Sequence, residues 1–282
     1  MNAIAALARA YFSGFPVEKA KWRIWEQFRK TKHYRAFRAG AYRTRYGFSM
    51  NLAPDQQIDR FIYFWDCWEP NETRLVRKLL RTNDIFVDVG ANNGYYSLLA
   101  STLVGPSGSV LALEPLPPII SELKANIALN GFRNISVIES AVSDKADDLV
   151  LTIPEGGGPG VTTLRPVKGA SWRVSCNRLD RLLADFPTPR LVKIDVEGAE
   201  LKALTGLEGL LVRNEAPDVL CEVTASFLKQ IGDNANALYS WMARFGYRAY
   251  LVRENGLQVL PLGTLPRNDQ ENVFFTKGKP PP

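Results

Sequence analysis

The sequence predicts an α/β fold on an open, mostly parallel sheet, and three observations carry that reading. Ile85-Phe-Val-Asp-Val89 is a continuous apolar run of the kind that forms a strand covered on both faces. Gly90-Ala-Asn-Asn-Gly94 supplies residues that tolerate positive φ, and helix-compatible apolar spacing resumes from Tyr95 to Val104. Val110-Leu-Ala-Leu then reads as a second strand ending at Glu114, 26 residues after Asp88, the length of one helix and one strand.

That βαβ unit points to a nucleoside. In open parallel sheets ligands bind at the carboxyl ends of the strands, where Asp88 lies, and backbone N–H groups at the helix start would face the ligand. A carboxylate at the tip of the second strand, Glu114, can accept both ribose hydroxyls. A dinucleotide turn reads G-x-G-x-x-G. Here the spacing is Gly90-x-Asn92-x-Gly94, the third glycine is absent and an acid precedes the turn. A carboxylate suits a pyrophosphate badly. It suits the amino group and sulfonium of S-adenosylmethionine, which is therefore favoured over a nicotinamide cofactor. Taken alone, the turn also fits a tight βα connection; the second acid separates the two readings.

With 282 residues the chain is long enough for one α/β domain and an extension. We divide it into a basic, aromatic-rich helical segment, 1–70, and a catalytic domain, 71–282. Cys67, Cys176 and Cys221 are odd in number and not spaced as a pair, which argues against a disulfide framework and a zinc site. Arg9 interrupts the mildly apolar first residues, and no run is long enough to span a bilayer, so the cytosol is the expected compartment. The net charge of +6 lies entirely in residues 1–70, with 12 Lys and Arg against 6 Asp and Glu.

In order along the chain, residues 1–12 read as a short helix and 17–39 as a second, stopped by Gly40. Trp22, Trp25 and Phe28 recur on one face of it. Such a helix packs its aromatic face on the main domain and solvates its basic one. Contact of residues 19–45 with an anionic or membrane surface is the alternative, and no specific nucleic acid is expected. His33, the only histidine, reads as a surface residue. Residues 41–70 are aromatic and irregular. A helix follows from Glu72 to Arg81.

Beyond Glu114 a helix runs to Asn130-Gly131, and Ile135–Val142 reads as a third strand whose end, Ser140-Ala141, would lie over adenine. Leu149–Ile153 and Trp172–Cys176 read as partner strands flanking a flexible glycine loop, 155–160. A short helix, Leu179–Phe186, follows. Leu191–Ile194 is a strand ending at Asp195, with Gly198 turning into a helix that ends near Val212. A strand buried on both faces should not hold a free ammonium, so Lys193 is expected to pair with a carboxylate on a neighbouring strand, Asp88 first; a solvated place at the rim is the other reading. Pro217–Val223 is a fifth strand with Glu222 at its end. Asn234–Phe245 is a helix, 247–260 a hairpin, Asn272–Thr276 the last strand, and 277–282 a disordered polar tail.

Four stretches carry a family resemblance: Phe86-Val-Asp-Val-Gly-Ala-Asn-Asn-Gly-Tyr-Tyr96, Glu114-Pro115 with Asn126-Ile-Ala-Leu-Asn130, Ser140-Ala-Val-Ser-Asp144, and Lys193-Ile-Asp-Val-Glu-Gly-Ala-Glu200. The chain resembles the FkbM-type S-adenosylmethionine-dependent methyltransferases over roughly residues 68 to 276, with Trp68-Glu-Pro70 a weaker echo. The resemblance implies a Rossmann-like, seven-stranded, mostly parallel sheet of the class I methyltransferase type, with one antiparallel strand near the end. It implies O-methylation of a sugar, glycan or natural-product hydroxyl. By position, Asp88, Gly90, Asn92 and Gly94 would hold the methionine part of the cofactor, Glu114 the ribose, and Ser140 with Ala141 the adenine. Asp195 would stand at the methyl donor and the substrate.

An alcohol is a poor nucleophile at neutral pH, so a base would help; Asp195 is the first candidate and Glu222 the second. A hard ion on Asp195, Glu197 and Glu222 is an alternative, but no histidine lies near them, and no metal site is expected. The competing function class is a catalytically weak nucleoside-binding scaffold with a basic arm touching membrane or nucleic acid.

Overall fold

The computed structural model describes residues 3–14, 18–156, 167–264 and 268–281. The N-terminal segment holds helices α1 (Ala3–Gly14) and α2 (Glu18–Phe28), a hairpin of β1 (Gly40–Arg43) and β2 (Ser49–Leu52), and helices α3 (Gln57–Trp65) and α4 (Pro70–Leu79). Two expectations are corrected here. The second helix stops at Phe28 rather than Ala39, and Gly40 begins a strand instead of ending a helix. Residues 41–70 are also regular rather than irregular, because Met50, Leu52 and the apolar face of α3 are buried in the main core.

The first βαβ unit is β3 (Ile85–Val89), α5 (Tyr95–Val104) and β4 (Ser109–Leu113), followed by α6 (Pro117–Asn130) and β5 (Ile135–Ile138). The expected third strand, 135–142, is divided. Ile138 ends β5, and β6 (Ala141–Val142) joins β7 (Asp147–Pro154) and β8 (Gly169–Asn177) in a separate small sheet. The turn at Ser140, whose N–H donates to the Ile138 carbonyl, makes the break. Gly157 to Gly160 of the predicted glycine loop lie outside the described residues.

After α7 (Leu179–Leu182) come β9 (Leu191–Ile194), α8 (Glu200–Thr205), α9 (Glu208–Leu211), β10 (Asp218–Thr224), α10 (Ala225–Gln230), α11 (Ala235–Arg244), β11 (Arg248–Arg253), β12 (Gly256–Leu260) and β13 (Gln270–Thr276). Among the described residues, the large sheet has eight strands in the order β12-β11-β13-β10-β9-β3-β4-β5. Strands β10, β9, β3, β4 and β5 are parallel, β13 runs against β10, and β12 adds an antiparallel edge to the seven-stranded pattern. The result is a Rossmann-like, mostly parallel sheet with helices on both faces. The predicted tail is partly anchored, since Lys277 donates to the carbonyls of Leu211 and Arg213.

Strand alternation sorts the two faces. Val87, Val89, Val192, Ile194, Val219 and Cys221 pack on the side of α8, α9 and α11. Phe86, Leu191, Leu220 and Phe274 pack on the other side with α4, α5 and the N-terminal aromatics. Asp88 and Lys193, register partners, belong to this second face. The N-terminal segment is bonded to it as well. Asn126, 2% exposed, accepts from Asn51 N and donates to the Asn93 carbonyl; Asn130 both accepts from and donates to Ser49. These family-motif asparagines therefore clamp the β1–β2 hairpin to the glycine turn. Trp25 is buried against Phe12, Phe64 and Trp65, while Arg23, Arg29, Lys30, Lys32, Arg35 and Arg38 are exposed. This follows the packed-aromatic, solvated-basic arrangement expected of the segment only in part, since Trp22 is 42% exposed and Lys21 is buried at 5%. Among the described residues, no helix is long and apolar enough to cross a membrane.

Candidate functional site

The carboxyl ends of β3, β4, β9 and β10 meet at one edge, and their acids meet with them. Asp88 is 1% exposed, its Oδ2 accepting from Ser97 Oγ at 2.6 Å. Glu114 is 5% exposed; its two oxygens accept from Asn92 N and Leu116 N, each at 3.1 Å. Burial pushes Glu114 up to about 7, against those backbone bonds, and the charges of Asp88 and Asp195 push the same way. Asp195 is more open, and Lys193 Nζ donates to its Oδ2 at 2.8 Å.

The turn explains the spacing of its residues. Gly90 has φ +80° and lies where a Cβ would stand 1.9 Å from the Asp195 carbonyl oxygen. Only glycine lets the β3 and β9 ends approach so closely. Asn92 takes a left-handed φ of 51°, and Gly94, φ 95°, precedes the first residue of α5. The backbone N–H groups of the turn itself are already engaged. Asn92 N–H goes to Glu114, Asn93 N–H to Asn92 Oδ1, and Gly94 N–H to the Ala91 carbonyl. Those donors are spent on the loop and on Glu114, which leaves an acid-lined edge unsuited to pyrophosphate.

Lys193 pairs with a carboxylate, but not with the one expected. Asp88 bonds to Ser97, and the lysine's hydrogen bond runs along its own strand to Asp195. An extended strand places residues i and i+2 on one face, so Asp195 is as close at hand as the cross-strand neighbour. Burial alone would lower Lys193; the carboxylates of Asp195, Glu69 and Asp88 outweigh it and hold the ammonium above its ordinary value. The ring of Tyr96 covers it at 4.8 Å.

Glu69, Tyr96 and Asn272 complete the site, and sequence reasoning did not assign them. Glu69, at a φ of 41°, accepts from Tyr96 Oη at 2.8 Å and from Asn272 Nδ2 at 3.2 Å. The Trp68-Glu-Pro70 echo was the available signal for Glu69, and a lone polar residue beside Val273-Phe-Phe was the signal for Asn272. Glu222 faces Asn272 across the β10–β13 pair. Burial, then the charges of Asp195 and Glu69, raise Glu222 to about 9. Glu197 is raised to about 8 by burial and by Asp195. Ser140 and Ala141 stand beyond β5. The Ser140 hydroxyl donates to the Ala141 carbonyl and accepts from Asn177 Nδ2, both in the small sheet, while its N–H reaches Ile138 of β5.

A model of the methyltransferase FkbM domain matches residues 88–249, more than half of the chain. The chain belongs to the FkbM methyltransferase family. Methyltransferase sdnD of Sordaria araneosa is 29% identical over 163 residues, 46% of this chain and 62% of that protein. Methyltransferase 1 of Beauveria bassiana is 26% identical over 179 residues, 55% of this chain and 69% of that protein. The match thus spans less than two thirds of the length of sdnD. Among solved structures, precorrin-6y C5,15-methyltransferase from Geobacter metallireducens superposes with a TM-score of 0.44 at 15% identity, covering 74% of this chain and 87% of that one.

The cofactor of this FkbM methyltransferase is S-adenosylmethionine, and the residues present fit it. This edge is lined by carboxylates, and the buried cation Lys193 is already matched by Asp195. A ligand with a positive end is favoured there. Each Glu114 oxygen accepts one backbone N–H and keeps a lone pair for a ribose hydroxyl.

Proposed function

We propose that this FkbM methyltransferase methylates an oxygen nucleophile, a hydroxyl of a sugar, glycan or natural product. One observation carries the reading: acids from three neighbouring parallel strands, Asp88, Glu114 and Asp195, converge at one edge beside an open carboxylate. When bound, the cofactor supplies an electrophilic methyl group on a sulfonium. The chain's own residues must align the acceptor and exclude water.

Glu114 takes the ribose, and the Gly90–Gly94 turn forms the floor beneath the methionine part. Asp88 is too enclosed to grip a ligand directly; it contributes negative potential from below and fixes α5 through Ser97. Ser140 and Ala141 lie at the adenine end. Asp195, 25% exposed, accepts the hydroxyl proton while Lys193 holds it in place. Glu222 suits a different task from the basic one first considered. Raised to about 9, it is protonated at neutral pH and has a proton to offer an acceptor atom.

The test is transfer of labelled methyl from S-adenosylmethionine to fractionated glycans, lipids and small molecules. Label on an oxygen of an acceptor supports the proposal. Label on nitrogen or carbon, or cofactor binding with no transfer to any fraction, overturns the O-methylation reading.

A further inference from the structure

Among residues of α1, α2, α3, α4 and the segments beside them, a cavity of about 220 Å³ opens. A single water needs roughly 10–15 Å³ measured in this way, so the space admits a small molecule. Its walls include Lys21, Arg45, Arg74 and Arg77 together with Tyr46 and Trp65, and among the described residues that line it none is acidic.

The four cations are held, not trailing in solvent. Lys21 is 5% exposed, donates to the Phe12 carbonyl at 2.9 Å and lies over the Trp65 ring. Arg45 donates to the carbonyls of Ser13 and Trp65. Asp66 is the nearby carboxylate, and it is shared between Arg45 at 3.3 Å and Arg9 at 3.7 Å. Arg74 donates to the Glu254 carbonyl, and Arg77 stacks on Tyr46 at 4.9 Å. Residues three apart share a helix face, so these two arginines reach the cavity side by side. The Trp65 ring, 3% exposed, forms part of the wall beneath Lys21. Like charges brought together at one cavity favour an anion between them.

We propose that this cavity binds a compact phosphate-bearing anion, at a place separate from the methyl-donor edge. Guanidinium forks match phosphate oxygens in pairs, and Lys21 adds a point charge. A phosphate ester in solution and a phosphorylated lipid headgroup share this chemistry.

The probe is inorganic pyrophosphate, titrated calorimetrically into the full chain against sodium chloride of equal ionic strength. Saturable binding beyond the chloride control is expected, with a rise in melting temperature. Arg74→Gln with Arg77→Gln should weaken it about tenfold or more. Arg77→Gln alone, at an exposed position, guards against a folding defect and should also weaken it. Arg23→Gln with Arg35→Gln, on the exposed basic surface outside the cavity, should leave affinity within about twofold. No binding beyond the chloride control overturns the proposal, as does loss in the Arg23/Arg35 variant with retention in the Arg74/Arg77 variant. Glycerol phosphate in solution and phosphatidic acid in vesicles then separate the two sources; for either, binding must be lost in the Arg74/Arg77 variant.

Discussion

Lys193 donates to Asp195 across 2.8 Å, with the ammonium 3% exposed and the carboxylate 25% exposed. One partner is sealed inside the sheet and the other opens toward the ligand edge. The pair therefore transmits the rigidity of β9 to the group placed nearest the chemistry. Removing the lysine strands three carboxylates, Asp195, Glu69 and Asp88, around an apolar gap. Breaking a buried pair in this way costs about 3–5 kcal/mol. Lys193→Met is expected to lower unfolding free energy in urea by that amount, and a loss below ~1 kcal/mol would contradict the placement.

Asp195→Asn tests the other partner. An amide oxygen can still accept from Lys193, so the fold and cofactor affinity should change little. The proton acceptor is gone, and turnover should fall by ~10² or more. Unchanged turnover with the native acceptor would remove Asp195 as the base.

Gly90 is expected to tolerate no side chain. A Cβ there overlaps the Asp195 carbonyl oxygen, which is backbone and cannot swing away, and the φ of +80° adds strain of about 1–3 kcal/mol. Gly131 has a φ of +64° with nothing within 4 Å of an added Cβ. Gly90→Ala should destabilise the chain clearly more than Gly131→Ala in parallel thermal melts. Equal losses would show that the two strand ends are not pressed together.

Glu222 makes stability depend on pH. Its value is raised from 4.5 to about 9, so folding favours the protonated form. The sign follows from linkage: the stabilisation is full below about 4.5 and is lost as pH rises toward about 9. Glu222→Gln removes this titration and should flatten the fall in unfolding free energy across that window. Glu69 and Glu72, raised mainly by burial, keep part of the slope. An unaltered pH profile in the variant would contradict the burial of Glu222.

The sheet was legible because its signals are local. The β3 run, the glycine turn and α5 from Tyr95 to Val104 each follow from adjacent residues, and the structure places them as read. The partner of Lys193 was not legible, because Asp88 and Asp195 are both two-residue or one-strand neighbours and only side-chain placement chooses between them. Glu69 and Asn272 are 203 residues apart in sequence, and their bond exists only once α4 and β13 reach the same sheet edge. The division of 135–142 between two sheets depends on a tertiary choice at Ser140 that its own propensity does not express. The hairpin at 40–52 was obscured by its aromatic content, and it is ordered by Asn126 and Asn130, far along the chain.

The central claim is that the Glu114 carboxylate at the end of β4 holds the methyl donor at the edge where β3 and β9 also end. Calorimetric titration of S-adenosylmethionine into the full chain, repeated with Glu114→Ala, tests it most directly. One-to-one binding that weakens about tenfold or more in the variant is the predicted result. No heat of binding in the unmodified chain, or equal affinity without the Glu114 carboxylate, would contradict it.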